Sequence, residues 1–459
     1  MNDKLLQVKQ LLSKYNQEHV LDFLNGLNNS DKDNLIEQIL RIDFDQLYSV
    51  LDETGQCEFN HNSVQPLDYQ RLDDLTNEQR EMYTNEGWRL IRNGKVGVIV
   101  VAGGQGARLG HDGPKGSLDI GLPSGKSLFQ LQAERLLNLS NRAGKNIPWY
   151  IMTSPDNYNA TVMFFQKHDF FGYPEEDCIF FQQKTMPALN QERKLLFSEP
   201  SQINLVPSGN GECFYSLYES GAFADIKHRG ITWLFYYNVD NALIKVADPL
   251  FIGYSAIHNN PIAIKVTEKC NVEEKVGVLC SSNGRPSVLE YNEIPESLLE
   301  KRDSQSKLLL NLANISIHMF RYDFIENFIH YQIPYHIALK KITYVDSKGC
   351  VINPSEPNAY KLERFIFDYF PLAEQVTVLM VEREEEFAPV KNREGQDSPF
   401  TARNQILNLH KKWIENCGAK ILESGENRLI EVSPLISYSG EGLHDNIEKI
   451  TTEIEENYD

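Results

Sequence analysis

The chain has 459 residues, enough for one large domain with smaller appendages, and 41% of them are hydrophobic, which is ample for a buried core. Its 45 basic and 64 acidic residues give a formal net charge of −19, which argues against nucleic acid or an anionic membrane as a bulk partner. Seven cysteines without a C-x-x-C pair do not form a disulfide framework or a zinc knuckle. With no long apolar run either, we expect a reduced, cytoplasmic protein.

The N-terminal segment is predicted to be helical. Apolar residues fall at spacings of three and four over residues 1–50, and Ser30 or Asp31 can cap the later helix. Residues 54–75 have the composition of an irregular connector. We interpret residues 1–85 as a helical arm and connector, with the arm docked on a catalytic domain.

The middle of the chain alternates apolar strands with helices, which predicts a mainly parallel sheet with covered faces over a catalytic domain at 86–388. A helix is predicted from Ser127 to Ala143, ending before Gly144, and a hairpin is predicted around the Asn283-Gly284 turn. The predicted strands are VGVIVV at 96–101, WYIMT at 149–153, CIFF at 178–181, ITWLFYY at 231–237, PIAIKV at 261–266 and QVTVLMV at 375–381.

The pattern changes after Pro389. A helix is predicted around Ala402–Cys417, followed by short β segments with a turn at Gly425-Glu426. We therefore assign residues 389–459 to a small C-terminal β unit.

The most informative segment is VIVVAGGQGARLGHDGPKGSLDIGLPSGK at 98–126. A β-branched run leads into a loop with glycines at 103, 104, 106 and 110 and the cations Arg108 and Lys115, before Ser127 starts a helix. Glycines allow backbone N–H groups to approach phosphate oxygens closely. The loop lacks the last glycine of a dinucleotide fingerprint, and its G-K-S has the wrong spacing for a P-loop. The segment predicts a phosphate-binding loop of another kind.

The segments AGGQGARLG, GPKG and GLPSGKSLFQLQAER resemble the nucleotide-binding region of the eukaryotic UDP-N-acetylhexosamine pyrophosphorylases. The resemblance extends over roughly 85–443. The loop of this chain reads G-G-Q-G at 103–106, whereas the corresponding loop of the related UDP-glucose enzymes resembles G-G-L-G. It implies a Rossmann-like nucleotidyltransferase domain with a mainly parallel mixed sheet. It also implies an enzyme that joins UTP and N-acetylglucosamine 1-phosphate into UDP-N-acetylglucosamine and pyrophosphate. Further matching segments are VPSGNG at 206–211, NVDNALIKVADP at 238–249, LEYNEI at 289–294, NLANIS at 311–316, ERFIFDYF at 363–370, EEFAPVKN at 385–392 and SPLISYSGEGL at 433–443.

Asp240 follows the buried run 231–239, and a carboxylate at the carboxyl end of a parallel strand lies where ligands bind in open α/β sheets. Taken alone, such an aspartate more often caps the following segment than binds a metal. The resemblance of VDN and VADP to the family's metal motif instead implies that Asp240 is a ligand of Mg²⁺ or Mn²⁺. Asp248, just before Pro249, is predicted to be an N-cap.

The implied chemistry needs cations and no side-chain base, because a phosphate monoester is already a nucleophile. Arg108 and Lys115 would hold the UTP phosphates, and Lys391 would face the α or sugar phosphate. Without the resemblance, Lys391 would be interpreted as a solvated surface charge. The resemblance also implies a nucleotide contact by Ala102, Gly103 and Gly104.

The resemblance further implies residues that select the base and the sugar. Gln183 would read the uracil edge, and Phe365 and Phe367 would wall an acetyl pocket, although two aromatics at this spacing are as readily core residues. The remaining implied contacts are Gly209 with the nucleotide and Asn210, Glu290 and Asn314 with the sugar.

The chain departs from the family pattern at two places. Glu212-Cys213 follow Gly211 where many members carry Gly-Gly, which adds a carboxylate near the expected sugar site, and Ala107 replaces a usual Thr. Two alternatives therefore stay open: a broad UDP-sugar or UDP-glucose pyrophosphorylase, and a catalytically silent nucleotide-sugar sensor. The histidines and cysteines do not lie at a recognisable spacing for a nucleophile and its base. The histidines at 168, 318 and 336 are interpreted as structural.

Overall fold

The computed structural model describes residues 2–53, 63–291, 293–294, 296–302, 306–418 and 429–444. Contacts divide the chain into two compact units. The arm unit comprises Met1–Asn60, Gln183–Cys213 and Gln332–Asp368, and the sheet unit comprises His61–Gln182, Phe214–Tyr331 and Tyr369–Asp459. This grouping cuts across the sequential segments 1–85, 86–388 and 389–459, whose division stays a prediction.

The α-helices are α1 (Asn2–Lys14), α2 (Val20–Gly26), α3 (Asn29–Leu40), α4 (Phe44–Glu53), α5 (Asn77–Arg92), α6 (Leu128–Ala143), α7 (Tyr158–Lys167), α8 (Cys213–Glu219), α9 (Ala222–Arg229), α10 (Pro249–His258), α11 (Glu296–Leu299), α12 (Tyr322–Phe328), α13 (Arg383–Glu386) and α14 (Pro399–Asn416). The strands are β1 (Val64–Gln65), β2 (Gln70–Arg71), β3 (Val96–Val101), β4 (Trp149–Thr153), β5 (Cys178–Gln182), β6 (Thr185–Pro187), β7 (Leu189–Asn190), β8 (Phe197–Glu199), β9 (Gln202–Ile203), β10 (Leu205–Pro207), β11 (Trp233–Asn238), β12 (Ile262–Glu268), β13 (Val278–Ser282), β14 (Arg285–Leu289), β15 (Leu312–Arg321), β16 (His336–Lys340), β17 (Tyr344–Val345), β18 (Val351–Ile352), β19 (Ala359–Glu363) and β20 (Thr377–Met380).

One large mixed sheet organises the sheet unit. Its main path is β2-β20-β12-β15-β11-β3-β4-β5, and β1, β13 and β14 extend it from β15. Strands β11, β3, β4 and β5 run parallel, as do β2, β20 and β12, while β15 is antiparallel to both of its neighbours on the path. All five residues of β4 are buried, as expected of a strand covered on both faces. The predicted α/β class with a mainly parallel mixed sheet is confirmed.

Local signals in the sequence place several boundaries correctly. Ser127 caps α6 by accepting the Gln130 N–H at 3.2 Å, and Gly144 ends that helix at φ +66°. Strands β13 and β14 form the predicted hairpin, with positive φ at both turn residues, Asn283 and Gly284. Asp248 is the predicted N-cap of α10.

Other local expectations are corrected. The cap of α3 is Asn28, whose side chain accepts the Asp31 N–H, because Asn28 is the extended residue before the helix. The connector is not wholly irregular: in its described part, β1 pairs with β13 and β2 pairs with β20. These strands were not predicted because two residues are too few to show a periodic pattern. The turn at Gly425-Glu426 lies outside the described residues. Residues 429–444 contain turns and bends and no strand, so the predicted short β segments are wrong for this described part.

The arm unit has a core of its own. Buried residues of α1 to α4 pack with Leu189, Leu195, Phe197 and Leu362 from the two later segments, and the Phe23 and Phe197 rings stack with centroids 3.9 Å apart. The predicted amphipathic helices are confirmed. Across the described residues, no helix is both long and apolar enough to cross a membrane.

Candidate active site

The glycine loop after β3 folds into a closed turn in the sheet unit. The Lys115 N–H donates to the Gly104 carbonyl at 3.0 Å, and the Gly106 N–H donates to the Gly113 carbonyl at 2.8 Å. A Cβ at Gly106 would lie 2.9 Å from the His111 backbone oxygen, so this position needs glycine. Ala102 is buried at the start of the loop. The backbone therefore holds Lys115 next to the end of β3.

Asp240 lies opposite Lys115, as the order of strands requires. Strands β3 and β11 are parallel neighbours that pair Val101 with Asn238, so the loop after one strand meets the loop after the other. The Lys115 Nζ atom donates to Asp240 Oδ2 at 3.3 Å, and both side chains are about one-fifth exposed. The structure thus brings together a predicted phosphate cation and the predicted metal carboxylate.

The segment that carries Lys391 is fastened beside Asp240. The Val390 N–H donates to the Asp240 carbonyl at 2.9 Å. Asn241, which is buried, donates from its amide to the Glu386 carbonyl at 2.7 Å and accepts the Ala388 N–H at 2.9 Å. These bonds tie the chain on both sides of Phe387 to the strand end. Lys391 follows directly, and its side chain is 45% exposed.

A buried ion-pair network lies beneath this segment. Lys265 is fully buried in β12 and donates to both carboxylate oxygens of Glu386 at 2.8 Å and to Asp248 at 2.7 Å. Burial alone would raise the pKa of Asp248, but Lys265 and Lys245 outweigh it and lower that pKa. The sequence motifs do not predict this ion pair of Lys265 and Glu386. A lysine within an apolar strand, IAIKV, was the available signal.

Two arginines lie in or against the glycine loop. Arg108 is exposed on a single helical turn, Ala107–Leu109, and has no ion pair among the residues that the structure describes. A Cβ built on Gly110 would lie 3.5 Å from the Arg393 Cζ atom, which places a second guanidinium against the same loop. Arg393 could not be predicted as a site residue, because a single arginine after the FAPVKN motif carries no pattern. In a chain of charge −19, these two arginines with Lys115 and Lys391 supply four cations here, of which Lys115 pairs with Asp240 and Lys391 lies 4.0 Å from Asp397.

Two of the predicted sugar residues are close together in the sheet unit. The Asn314 N–H donates to the Gly277 carbonyl at 2.8 Å, and a Cβ built on Gly277 would lie 3.1 Å from Glu290 Oε1. The β13–β15 pairing, Val278 with Ala313, creates this proximity. Residues 24 positions apart in the chain therefore lie side by side.

The glycine turn of VPSGNG belongs to the arm unit, and its shape depends on Gly209. Gly209 has φ +86°, and a Cβ there would lie 2.3 Å from the Arg364 carbonyl oxygen. Only glycine fits this position. The next residue, Asn210, accepts the Ile366 N–H on its side-chain oxygen at 3.0 Å. The turn is thereby fixed to the segment that carries Phe365 and Phe367.

Glu212 does not present a free carboxylate. It is buried and accepts a hydrogen bond from Arg364 Nη1 at 2.5 Å, and the Arg364 guanidinium lies 3.9 Å from the centroid of the Tyr335 ring. Arg364 also donates to Gln332 at 2.8 Å. The carboxylate that this departure adds is therefore paired with a buried arginine, which neutralises its charge.

The other predicted site residues of the arm unit are Phe365, Phe367 and Gln183. The Phe365 and Phe367 rings stack with centroids 4.9 Å apart, and the Phe365 N–H donates to the Asp368 carboxylate at 2.9 Å. Phe367 is buried and Phe365 is half-buried, which fits either a pocket wall or a core pair. Gln183 is buried as well. Their predicted roles remain untested by this geometry.

The glycine loop lies at the carboxyl ends of parallel strands, where ligands bind in open α/β sheets. Residues 42–457 match the family model described as UTP–glucose-1-phosphate uridylyltransferase, and the chain belongs to that family.

Individual relatives are similar over nearly the whole chain. A probable UDP-N-acetylglucosamine pyrophosphorylase of Dictyostelium discoideum is 38% identical over 93% of this chain and 92% of its own length. The UDP-N-acetylglucosamine pyrophosphorylase of Saccharomyces cerevisiae is 37% identical over 96% of each chain. The crystal structure of the uridine diphosphate N-acetylglucosamine pyrophosphorylase from Trypanosoma brucei is 26% identical, with a TM-score of 0.82 over 100% of this chain and 97% of that one.

Proposed function

We propose that this chain is a uridylyltransferase that forms UDP-N-acetylglucosamine and pyrophosphate from UTP and N-acetylglucosamine 1-phosphate. The observation that carries the proposal is the Lys115 ammonium group facing Asp240 at 3.3 Å, where the glycine loop meets the end of β11. The names of the relatives supply the substrate class. The joint retention of Arg108, Lys115, Asp240 and Lys391 disfavours a silent sensor, which could lose its metal carboxylate and leaving-group cations.

In the proposed reaction, an oxygen of the sugar phosphate attacks the α-phosphorus of UTP. The new bond joins that oxygen to the α-phosphorus, and the bond to the bridging oxygen breaks, so that pyrophosphate leaves in line. No proton has to be removed from the nucleophile. The chain must hold two polyanions together and neutralise developing charge, which is the task proposed for Arg108, Lys115 and Lys391.

We propose that Asp240 also holds Mg²⁺ or Mn²⁺. In the described part of the chain, no three His, Cys, Asp or Glu side chains gather as a metal site made by protein alone. A single carboxylate fits a magnesium ion whose other ligands are substrate phosphates and water. When bound, the ion would supply positive charge to the phosphate oxygens. Lys115 holds the Asp240 carboxylate in place.

The contacts with the base and the sugar remain predictions. Gln183 is proposed to read uracil, Gly209 to approach the nucleotide, and Phe365 and Phe367 to contact the acetyl group. Asn210, Glu290 and Asn314 are proposed to bind the sugar. A cytoplasmic location is likewise proposed, since the six cysteines of the described residues are free.

Arg108→Lys should lower kcat/KM for UTP. The substitution keeps the charge but removes the fork that binds two phosphate oxygens, and a hydrogen bond to a charged group is worth about 1.5–3 kcal/mol, or about tenfold to a hundredfold. Steady-state kinetics measure this loss. Arg92→Lys is the matched control, because Arg92 is exposed over Trp88 and outside the site. Full activity of Arg108→Lys would rule out bidentate binding.

Glu212→Gln should lower the melting temperature and leave sugar preference unchanged. The substitution removes the charge that pairs with buried Arg364, which costs about 1–3 kcal/mol of stability. Preference should persist because the wild-type carboxylate is already neutralised. Glu192→Gln, at an exposed glutamate of the same unit, is the control. A reversal of sugar preference in Glu212→Gln would show that Glu212 contacts the sugar.

The substrate class is tested by measuring kcat/KM for three sugar phosphates with UTP. We expect N-acetylglucosamine 1-phosphate to exceed glucose 1-phosphate by up to ~10⁴, because a site that hydrogen-bonds a substrate group rejects an analogue lacking it. The C4 epimer should be accepted more readily than glucose 1-phosphate, since it keeps the acetamido group. Equal values for the glucose and N-acetylglucosamine substrates would favour a broad UDP-sugar pyrophosphorylase.

A further inference from the structure

Asn314 has an amide whose orientation is fixed by the backbone. The Ser316 N–H donates to its Oδ1 atom at 3.1 Å, and a backbone N–H can only donate, so this atom is the oxygen. Ser316 is available because β15 bulges here: Lys265 pairs with Ile317 but Val266 pairs with Asn314, which skips Ile315 and Ser316. Ser316 has φ +56° at this bulge.

His318 supplies the second hydrogen bond to the same oxygen. Its Nε2 atom lies 3.1 Å from Asn314 Oδ1, which can only accept, so Nε2 carries the proton. Burial lowers the pKa of His318 to about 3, so the ring is neutral at neutral pH and its Nδ1 atom is unprotonated. Nδ1 has no hydrogen-bond partner among the described residues.

Aromatic rings on three sides hold the imidazole in place. It stacks on Tyr236 with centroids 5.5 Å apart and planes 6° apart, and it meets Phe370 edge-on at 5.1 Å. Phe320 lies edge-on at 5.8 Å. The ring therefore cannot rotate or move away without disturbing the core, which keeps its Nε2–H directed at Asn314 Oδ1.

The two donors occupy both lone pairs of Asn314 Oδ1, so the amide can offer a ligand only its Nδ2–H groups. No acceptor for Nδ2 occurs in the described part of the chain. We propose that His318 is a positioning residue for sugar selection, which fixes Asn314 so that Nδ2–H donates to the acetamido carbonyl oxygen of the sugar phosphate. This proposal rests on the proposed function above. It revises the interpretation of His318 as purely structural.

The test compares kcat/KM for N-acetylglucosamine 1-phosphate and glucose 1-phosphate in wild type, His318→Phe and His318→Gln. We expect the ratio to fall about three- to tenfold in His318→Phe, which keeps the stacking but lacks the donor. His318→Gln, whose amide can donate, should restore part of the ratio. In the double variant with Asn314→Ala, the Phe substitution should have no further effect on the ratio. If His318→Phe does not fold, His318→Met replaces it.

His410→Phe is the matched control. His410 is also buried with its pKa lowered to about 3 by burial, but it accepts the Val432 N–H and is bonded to no predicted substrate residue, so the substrate ratio should not change. An equal loss of kcat/KM for both substrates in His318→Phe, which leaves their ratio unchanged, would overturn the positioning role. A wild type without preference for the acetamido substrate would instead overturn the proposed function itself, so the two failures are distinguishable.

Discussion

Asp240→Asn should keep the fold and lower kcat by a factor of about 10²–10³, because it removes the carboxylate charge that faces Lys115 at the end of β11 while preserving the shape of the side chain. The amide cannot offset the Lys115 charge or attract a divalent cation as a carboxylate does. Turnover is measured as pyrophosphate release across a titration of Mg²⁺, and thermal unfolding checks the fold.

Asp112→Asn is the matched control for this prediction. Asp112 lies in the same loop, is exposed and makes no ion pair within the described residues, so the substitution removes one charge without touching the Lys115 pair. It should retain normal turnover. Near-normal turnover of Asp240→Asn at saturating Mg²⁺ would contradict the metal assignment.

Lys265→Met should lower the free energy of unfolding by about 3–5 kcal/mol, because it removes the buried cation that donates to Glu386 and Asp248 and leaves Lys245, 3.7 Å from Glu386, to offset both carboxylates. Turnover should fall as well, since Glu386 lies in the segment that leads to Lys391 and is tied to Asn241. Denaturant unfolding measures the first effect and pyrophosphate release the second.

The control is Lys227→Met, which breaks an exposed ion pair with Glu326 and should change stability little. A double variant, Lys265→Met with Glu386→Leu, should regain part of the lost stability, because an unpaired buried carboxylate costs more than an apolar replacement. If Lys265→Met were as stable as Lys227→Met, the network would not be holding this segment.

The sequence predicts the elements whose signals are local. The start of α6 at Ser127, its end at Gly144 and the Asn283-Gly284 turn each depend on neighbouring residues, and the structure has all three. The strand-loop-helix order also predicts where the glycine loop lies. The loop follows the carboxyl end of a parallel strand, and adjacent parallel strands bring those ends to one edge of the sheet.

Features that depend on long-range contacts could not be predicted. Hydrophobic periodicity shows that one face of α1 to α4 is buried, but not that it packs with residues 183–213 and 332–368. The Glu212–Arg364 pair joins residues 152 positions apart, so the departure at Glu212 gave no sign of its partner. The Asn314 bulge depends on the register between β12 and β15, which sequence patterns do not report.

Isotopic label followed from UTP in the presence of N-acetylglucosamine 1-phosphate and Mg²⁺ tests the proposed reaction most directly. Attack at the α-phosphorus predicts that an α-label appears in UDP-N-acetylglucosamine and a γ-label in pyrophosphate, in equal amounts. Release of the γ-label as orthophosphate, or binding of UTP without either product, would contradict it.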